Sequence, residues 1–363
     1  MGHGMGRTVV AVVVTVLGLS HAAHAQDRIA LRTEVTQYGD NTEFFNPFSE
    51  GDTLLGAAAT VAVDVDVNDA VTFSGGFFMN HRAGSDRIAE TWRPVLTLTL
   101  QGRHHRFLIG TLDTFNRSFG FGPDRTGPHG LLPPLQRETL LFERPYESGV
   151  QWTTAHPRFR QDAWLNWQQV NTRKERERFD VGANGLGRVA DNLPLSVAYQ
   201  FHLVHEGGQR FSSGPIRDSW VVGPGLVFEP TIGFLDRTAF EGYALFSSYT
   251  PDRSRPSDEE HGHGVLLRAS GEREDWRGHL IFWAACDWIK EEGDPNYGSL
   301  LEDGTRFTNT RHYGEIGLAR IFRPADGVEV EGSARLHRVE KNYEYSLRIL
   351  SRVEIGFPVW MRK

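Results

Sequence analysis

From about residue 28 to the C-terminus, apolar and polar side chains alternate with a period of two, in segments that often run ten residues or more. That period is the pattern of a strand with one apolar face. In YSLRILSRVEIGF, Tyr345, Leu347, Ile349, Ser351, Val353, Ile355 and Phe357 share one face. The other face carries Ser346, Arg348, Leu350, Arg352 and Glu354. In DWRGHLIFWAACDWI, Trp276, Gly278, Leu280, Phe282, Ala284, Cys286 and Trp288 form one face, opposite Arg277, His279, Ile281, Trp283, Ala285 and Asp287.

In both segments aromatic residues bracket the apolar face twelve positions apart. A strand rising about 3.3 Å per residue and tilted near 45° covers roughly 28 Å over that interval, close to the apolar band of about 25 Å of an outer-membrane barrel with its aromatic girdles. The pattern predicts an all-β, transmembrane, antiparallel up-and-down β-barrel of about sixteen strands, within a range of about 14–18, from residues 28–37 at one end to 344–357 at the other. In a bilayer such a sheet must close, because an open edge has no water to bond.

The connections alternate in length. YGDNTEFFNPFSEGD, VNTRKERE, HEGGQRFSSG, YTPDRSRPSDEEHGH and KEEGDPNYGSLLEDGTR are long, whereas VND, QGR, AHPR, REDW and RPADG are short. Long extracellular loops and short periplasmic turns explain that alternation. One connection exceeds the rest. It runs over residues 113–146 and contains FGFGPDRTGPHGLLPP, residues 119–134. Phe115, Phe119, Phe121, Leu131, Leu132, Leu135, Leu140, Leu141 and Phe142 need something to pack against, and folding inward against the lumen wall supplies it.

Composition adds the compartment. Arg7 precedes TVVAVVVTVLGLS, and Ala23 and Ala25 form a cleavage site before Gln26, so residues 1–25 are expected as a signal peptide and 26–363 as one barrel domain. The 39 Gly, 23 Phe and 9 Trp suit many strands, tight turns and interfacial aromatics. A single cysteine, Cys286, leaves no intramolecular disulfide and reads as a lipid-facing filler. The net charge of -7 gives no reason to expect nucleic-acid binding.

The pattern resembles the sixteen-stranded general porins of Gram-negative outer membranes, whose third long loop folds into the barrel and narrows the channel. NTEFFNPFSEGDTLLG and QDAWLNWQQ are similar to stretches of uncharacterised porin-like proteins. The resemblance implies the Gram-negative outer membrane as location, a homotrimer, assembly by the barrel assembly machinery, and contact with outer-membrane lipid and lipopolysaccharide. The chain departs from it at the C-terminus, where PVWMRK follows Phe357 instead of the terminal Phe that the assembly machinery reads.

The polar faces give candidate lumen groups: Arg32, Glu34, Asp64, Asp66, Glu329, Glu331, Arg335, Arg348, Arg352 and Glu354. Closure makes the first and last strands neighbours, so Arg32, Arg335, Arg348 and Arg352 are expected to form one basic patch. The long loop adds Asp113, Arg117, Asp124, Arg125, Arg137, Glu138, Glu143 and Arg144 as a constriction. Opposed charges there would order small hydrophilic solutes, or would simply pair and hydrate the wall.

No metal, cofactor or catalytic residue is expected. His261 and His263 beside Asp258, Glu259 and Glu260 fit a solvated loop, and the adjacent His104 and His105 point to opposite faces of a strand. The basic run 173–178 reads as a hydrated rim. His279 and Asp287 stand too far apart along one strand to cooperate, and no G-x-S-x-G elbow occurs. The sequence therefore reads as a passive channel and not as an enzyme. Three alternatives remain: a polysaccharide-export barrel, a plugged adhesion barrel, and a lipid-modifying enzyme, which would need a Ser-His pair on neighbouring strands near the rim.

Overall fold

A computed structural model describes residues 28–114, 127–208, 210–211 and 214–361. Its strands are β1 (Arg28–Glu43), β2 (Thr53–Asn68), β3 (Val71–Arg82), β4 (Thr91–Gln101), β5 (His105–Thr111), β6 (Ser148–His156), β7 (Phe159–Gln169) and β8 (Glu177–Arg188). They continue as β9 (Leu195–Gly207), β10 (Arg217–Phe228), β11 (Arg237–Thr250), β12 (Glu260–Arg273), β13 (Trp276–Cys286), β14 (Arg311–Ala325), β15 (Val328–Val339) and β16 (Asn342–Met361). All sixteen pair antiparallel in sequence order, and β1 closes the barrel against β16 from Arg28↔Met361 to Glu43↔Tyr345.

The alternation has the expected cause. Leu347, Ile349, Leu280 and Phe282 lie on the outer face and are exposed to lipid, while Leu350, Ile281 and Trp283 on the opposite face are buried inside. Trp288 is a correction: it is buried, not lipid-facing. Strand β13 ends at Cys286, and Asp287 takes a positive φ of 53° that turns the chain inward. The aromatic bracket of that segment is therefore not a girdle pair. The last strand also runs past Phe357 to Met361, with a register shift between Ile29 and Ala30.

The loop asymmetry holds with two exceptions. The outer turn between β15 and β16 is only Glu340–Lys341, and the inner connection between β10 and β11 spans residues 229–236.

The third outer loop does fold inward, and it does more than narrow the lumen. Leu131, Leu132 and Leu135 pack with Trp164, Val221, Leu245, Leu266, Trp283, Trp288, Tyr297 and Tyr313 in one buried cluster. This loop and the one between β13 and β14 are joined by backbone bonds from Arg137 N to Glu292 O (2.7 Å) and from Asp294 N to Pro133 O (2.9 Å). A short helix, α1 (Leu140–Glu143), seats Leu141 and Phe142 against Tyr38, Leu54 and Leu350. The outer half of the barrel thus has an apolar core of its own. Beneath it lies a vestibule of about 650 Å³ lined by Arg32, Glu34, Asp64, Asp66, Arg106, Asp113, Arg352 and Glu354, among others.

Candidate functional site

The expected arginine patch divides in two. Arg335 and Arg348 both reach Glu138 at 2.8 Å, and Arg348 also holds Asp40 at 2.7 Å. Lower in the barrel, Arg32 pairs with Glu34 and Asp64, and Arg352 faces Glu329 at 3.8 Å. Glu331 holds Arg277, Asp66 accepts from Thr72, and Glu354 lines the vestibule.

Of the loop residues, Asp113 pairs with Arg106, Arg137 with Glu143, and Arg144 with Glu292. Arg117, Asp124 and Arg125 lie outside the described residues, as do Phe115, Phe119 and Phe121. Among the described residues, each charge named here is met by an opposite charge or a hydrogen-bond partner, or lines the vestibule.

Two histidine centres emerge that sequence reasoning did not find. The first is His129 in the third loop, held at a positive φ of 52° and stacked on Trp164 at 3.9 Å. Its Nδ1 meets Asp162 Oδ2 at 3.0 Å and its Nε2 meets Glu147 Oε2 at 2.9 Å. Burial opposes the imidazolium, but the two carboxylates outweigh it and raise the pKa to about 10. With both nitrogens donating, His129 has no lone pair for a nucleophile. It acts as a pin that fastens the loop to β7.

The second centre has the opposite character. Ser346 on β16 lies two residues along from Glu344, the register partner of His337 on β15, in a hairpin closed by two residues. Ser346 Oγ is 2.8 Å from His337 Nε2. His337 Nδ1 is 2.7 Å from the Tyr313 hydroxyl, which lies 2.5 Å from Glu315 Oε2.

One proton assignment satisfies the whole chain. An ionised Glu315 can only accept, so Tyr313 donates to it. The Tyr313 oxygen then accepts from Nδ1–H of His337. That leaves Nε2 as the acceptor for the Ser346 hydroxyl, the arrangement of an activated serine with an oriented base. Glu315 is held by His279 Nε2 at 2.6 Å and faces Arg335 at 3.7 Å.

The pair lies close to the level of exposed aromatic residues on the outer wall. Tyr343 and Tyr345 are exposed on the outer face of β16, where interfacial aromatics mark the headgroup level. Ser346 faces the lumen beside them, below the two-residue outer turn Glu340–Lys341. Phe44 of the first outer loop packs edge-on against His337 at 5.0 Å, and the Asn46 side chain donates to Glu344, so this loop covers the pair. Arg335, the cross-strand partner of Ser346, and Arg348, two residues along the same face, bring two guanidinium groups alongside. Among the described residues no cluster of His, Cys, Asp and Glu could hold a metal ion.

A family model described as Lipid A 3'-O-deacylase-type matches residues 21–359. This finding overturns the expectation that the chain is not an enzyme. No curated protein matches. Among solved structures, a loop L8 deletion mutant of OmpT, an outer membrane protein of Vibrio cholerae, is similar with a TM-score of 0.55 at 10% identity, over 91% of this chain and 100% of that one. The trimer form of OmpT from Vibrio cholerae gives 0.53 at 10% identity, over 91% and 99%. At that identity the likeness is one of fold. The barrel is that of outer-membrane proteins of Gram-negative bacteria.

Proposed function

The chain belongs to the lipid A 3'-O-deacylase-type family, and from that premise we propose that it is an outer-membrane esterase that removes an acyl chain from lipid A, with Ser346 as nucleophile and His337 as base. The observation that carries this assignment is the 2.8 Å contact between Ser346 Oγ and His337 Nε2, with Nδ1 held by Tyr313.

In this reading Ser346 Oγ attacks the ester carbonyl while Nε2 takes its proton, and the same proton passes to the departing sugar oxygen. Water, deprotonated by Nε2, then attacks the acyl-serine carbonyl; the Ser346 Oγ–acyl bond breaks, Oγ takes the proton back from Nε2, and the fatty acid is released. Arg335, the cross-strand partner of Ser346, and Arg348, two residues along β16, are cations placed to meet the developing oxyanion. The first outer loop must lift from His337 to admit the ester.

The test is incubation of the purified, refolded chain with lipid A in mixed micelles, followed by mass spectrometry. Release of one ester-linked acyl chain supports the reading; intact lipid A at long times and high enzyme concentration refutes it.

A second reading, diffusion of small hydrophilic solutes, is favoured by one feature, the charged vestibule of about 650 Å³. The apolar core above the vestibule opposes it.

A further inference from the structure

The hairpin that carries His337 and Ser346 presents a second set of groups on its other side. Neighbouring residues of a strand point to opposite faces, so His337 is buried in the lumen while Arg338, next in the chain, is exposed on the outer wall. Arg338 pairs across the hairpin with the exposed Tyr343, and its guanidinium carbon lies 6.0 Å from the centre of that ring. Its Nε donates to Glu340 O at 3.2 Å. Lys341, in the two-residue turn, is also exposed.

On its other flank Arg338 has Gly314 of β14 as register partner. A Cβ at Gly314 would meet nothing closer than Ile281 O at 3.8 Å, so no side chain of that residue fills the wall beside the guanidinium. The result is a shallow notch, with an aromatic ring on one side of a cation and bare backbone on the other.

Neither Arg338 nor Lys341 forms an ion pair among the described residues. The carboxylates of the hairpin are committed elsewhere. Glu340 holds the buried Arg311 and accepts from His312 N at 2.8 Å. Glu344 is buried and accepts from Asn46 Nδ2 at 2.6 Å and from Phe45 N at 3.0 Å. Glu43, opposite Tyr345 on β1, accepts from Asn41 at 3.1 Å. Two cations at the level of the interfacial aromatics are thus free to meet an anion of the surrounding lipid, and a guanidinium matches a phosphate in both charge and geometry.

Position ties the notch to the site inside. Arg338 is three residues along β15 from Arg335, the cross-strand partner of Ser346, a separation of about 10 Å. The turn above them is the shortest connection on the outer rim. We propose that Arg338 and Lys341 form a phosphate-binding shoulder for the headgroup of lipid A, which holds the substrate on the outer wall while its acylated sugar crosses the turn to Ser346. The shoulder takes its ligand from the esterase reading above, and it makes the phosphate, together with the acyl chains, what selects the substrate.

The experiment is native mass spectrometry of the full chain in detergent, offered equal amounts of lipid A with its phosphates and the same lipid A stripped of them. Arg338→Gln and Lys341→Gln are compared with the parent and with Lys174→Gln, a control that removes an exposed cation from another outer loop. Heat-dependent gel mobility confirms a folded barrel in each. The parent and the control should retain the phosphorylated form about tenfold over the other, a ratio that falls close to parity in Arg338→Gln and is reduced in Lys341→Gln. A parent that retains both forms equally overturns the shoulder. So does an undiminished ratio in Arg338→Gln, or in Lys341→Gln should Arg338→Gln misfold. Retention is read without turnover, so a phosphate preference that the variants lose, with no acyl release by any chain, would sink the esterase assignment and leave the shoulder standing.

Discussion

Ser346 Oγ and His337 Nε2 stand 2.8 Å apart across the last two strands, and the other imidazole nitrogen is held by Tyr313. Among the described residues one other hydroxyl–imidazole contact occurs, between Thr154 Oγ1 and His105 Nδ1 at 3.1 Å, and no carboxylate is recorded behind that histidine. Only the first pair has the three-part order of nucleophile, base and orienting group.

Tyr313 is a positioning residue in this account, because it acts through His337. Tyr313→Phe removes the acceptor for Nδ1–H and frees the imidazole to take the other tautomer. The expected result is a fall of about 10- to 100-fold in kcat with KM nearly unchanged. Steady-state kinetics on a lipid A analogue check this, and a change confined to KM would assign Tyr313 to substrate binding instead.

The filled outer half predicts poor conduction. Leu131, Leu132 and Leu135 sit in the same buried cluster as Trp283 and Trp288, so the intact chain should show little or no steady conductance in a planar bilayer. Deleting residues 117–140 removes the leucines and should open stable steps. Equal steps from the intact and deleted chains would mean that solutes pass around the loop.

The His129 pin makes the docking of this loop depend on pH. Its pKa is raised to about 10 by Asp162 and Glu147 against the cost of burial, from about 6.5 in an unfolded chain. The raised value means that the stabilisation is fully present below about pH 6.5 and is lost as pH rises through about 10. Protease sensitivity of the loop should therefore increase with a midpoint near pH 10. His129→Ala leaves two buried carboxylates without their cation, at a cost of about 3–5 kcal/mol, and should make the loop sensitive already at neutral pH. A loop equally resistant in that variant would assign its anchorage to the leucines alone.

The strands were legible because lipid on one side and the lumen on the other enforce a strict period of two, as at Leu347, Ile349 and Leu350. The inward course of the long loop was legible from its leucines. Trp288 misled because counting by two cannot register a turn, and Asp287 is a non-glycine residue with positive φ.

The basic patch failed for a different reason. Strand adjacency puts Arg32 and Arg352 on paired strands, four residues out of register, and carboxylates from other elements, Glu138 and Asp64, decide where the arginines of the patch point. Ser346 and His337 escaped notice because the search for catalytic partners ran along single strands. A turn of two residues at Glu340–Lys341 fixes a register with Arg335 opposite Ser346 and His337 opposite Glu344, and reading that turn was the one available signal. The acid behind the histidine comes from β14 through a tyrosine, which no local spacing reveals.

The most direct test compares Ser346→Ala with the parent chain for the rate of acyl release from lipid A, read by mass spectrometry, with heat-dependent gel mobility confirming a folded barrel in both. The esterase assignment predicts a loss of about 10³-fold or more with the barrel intact. Deacylation by Ser346→Ala at the parent rate would contradict it.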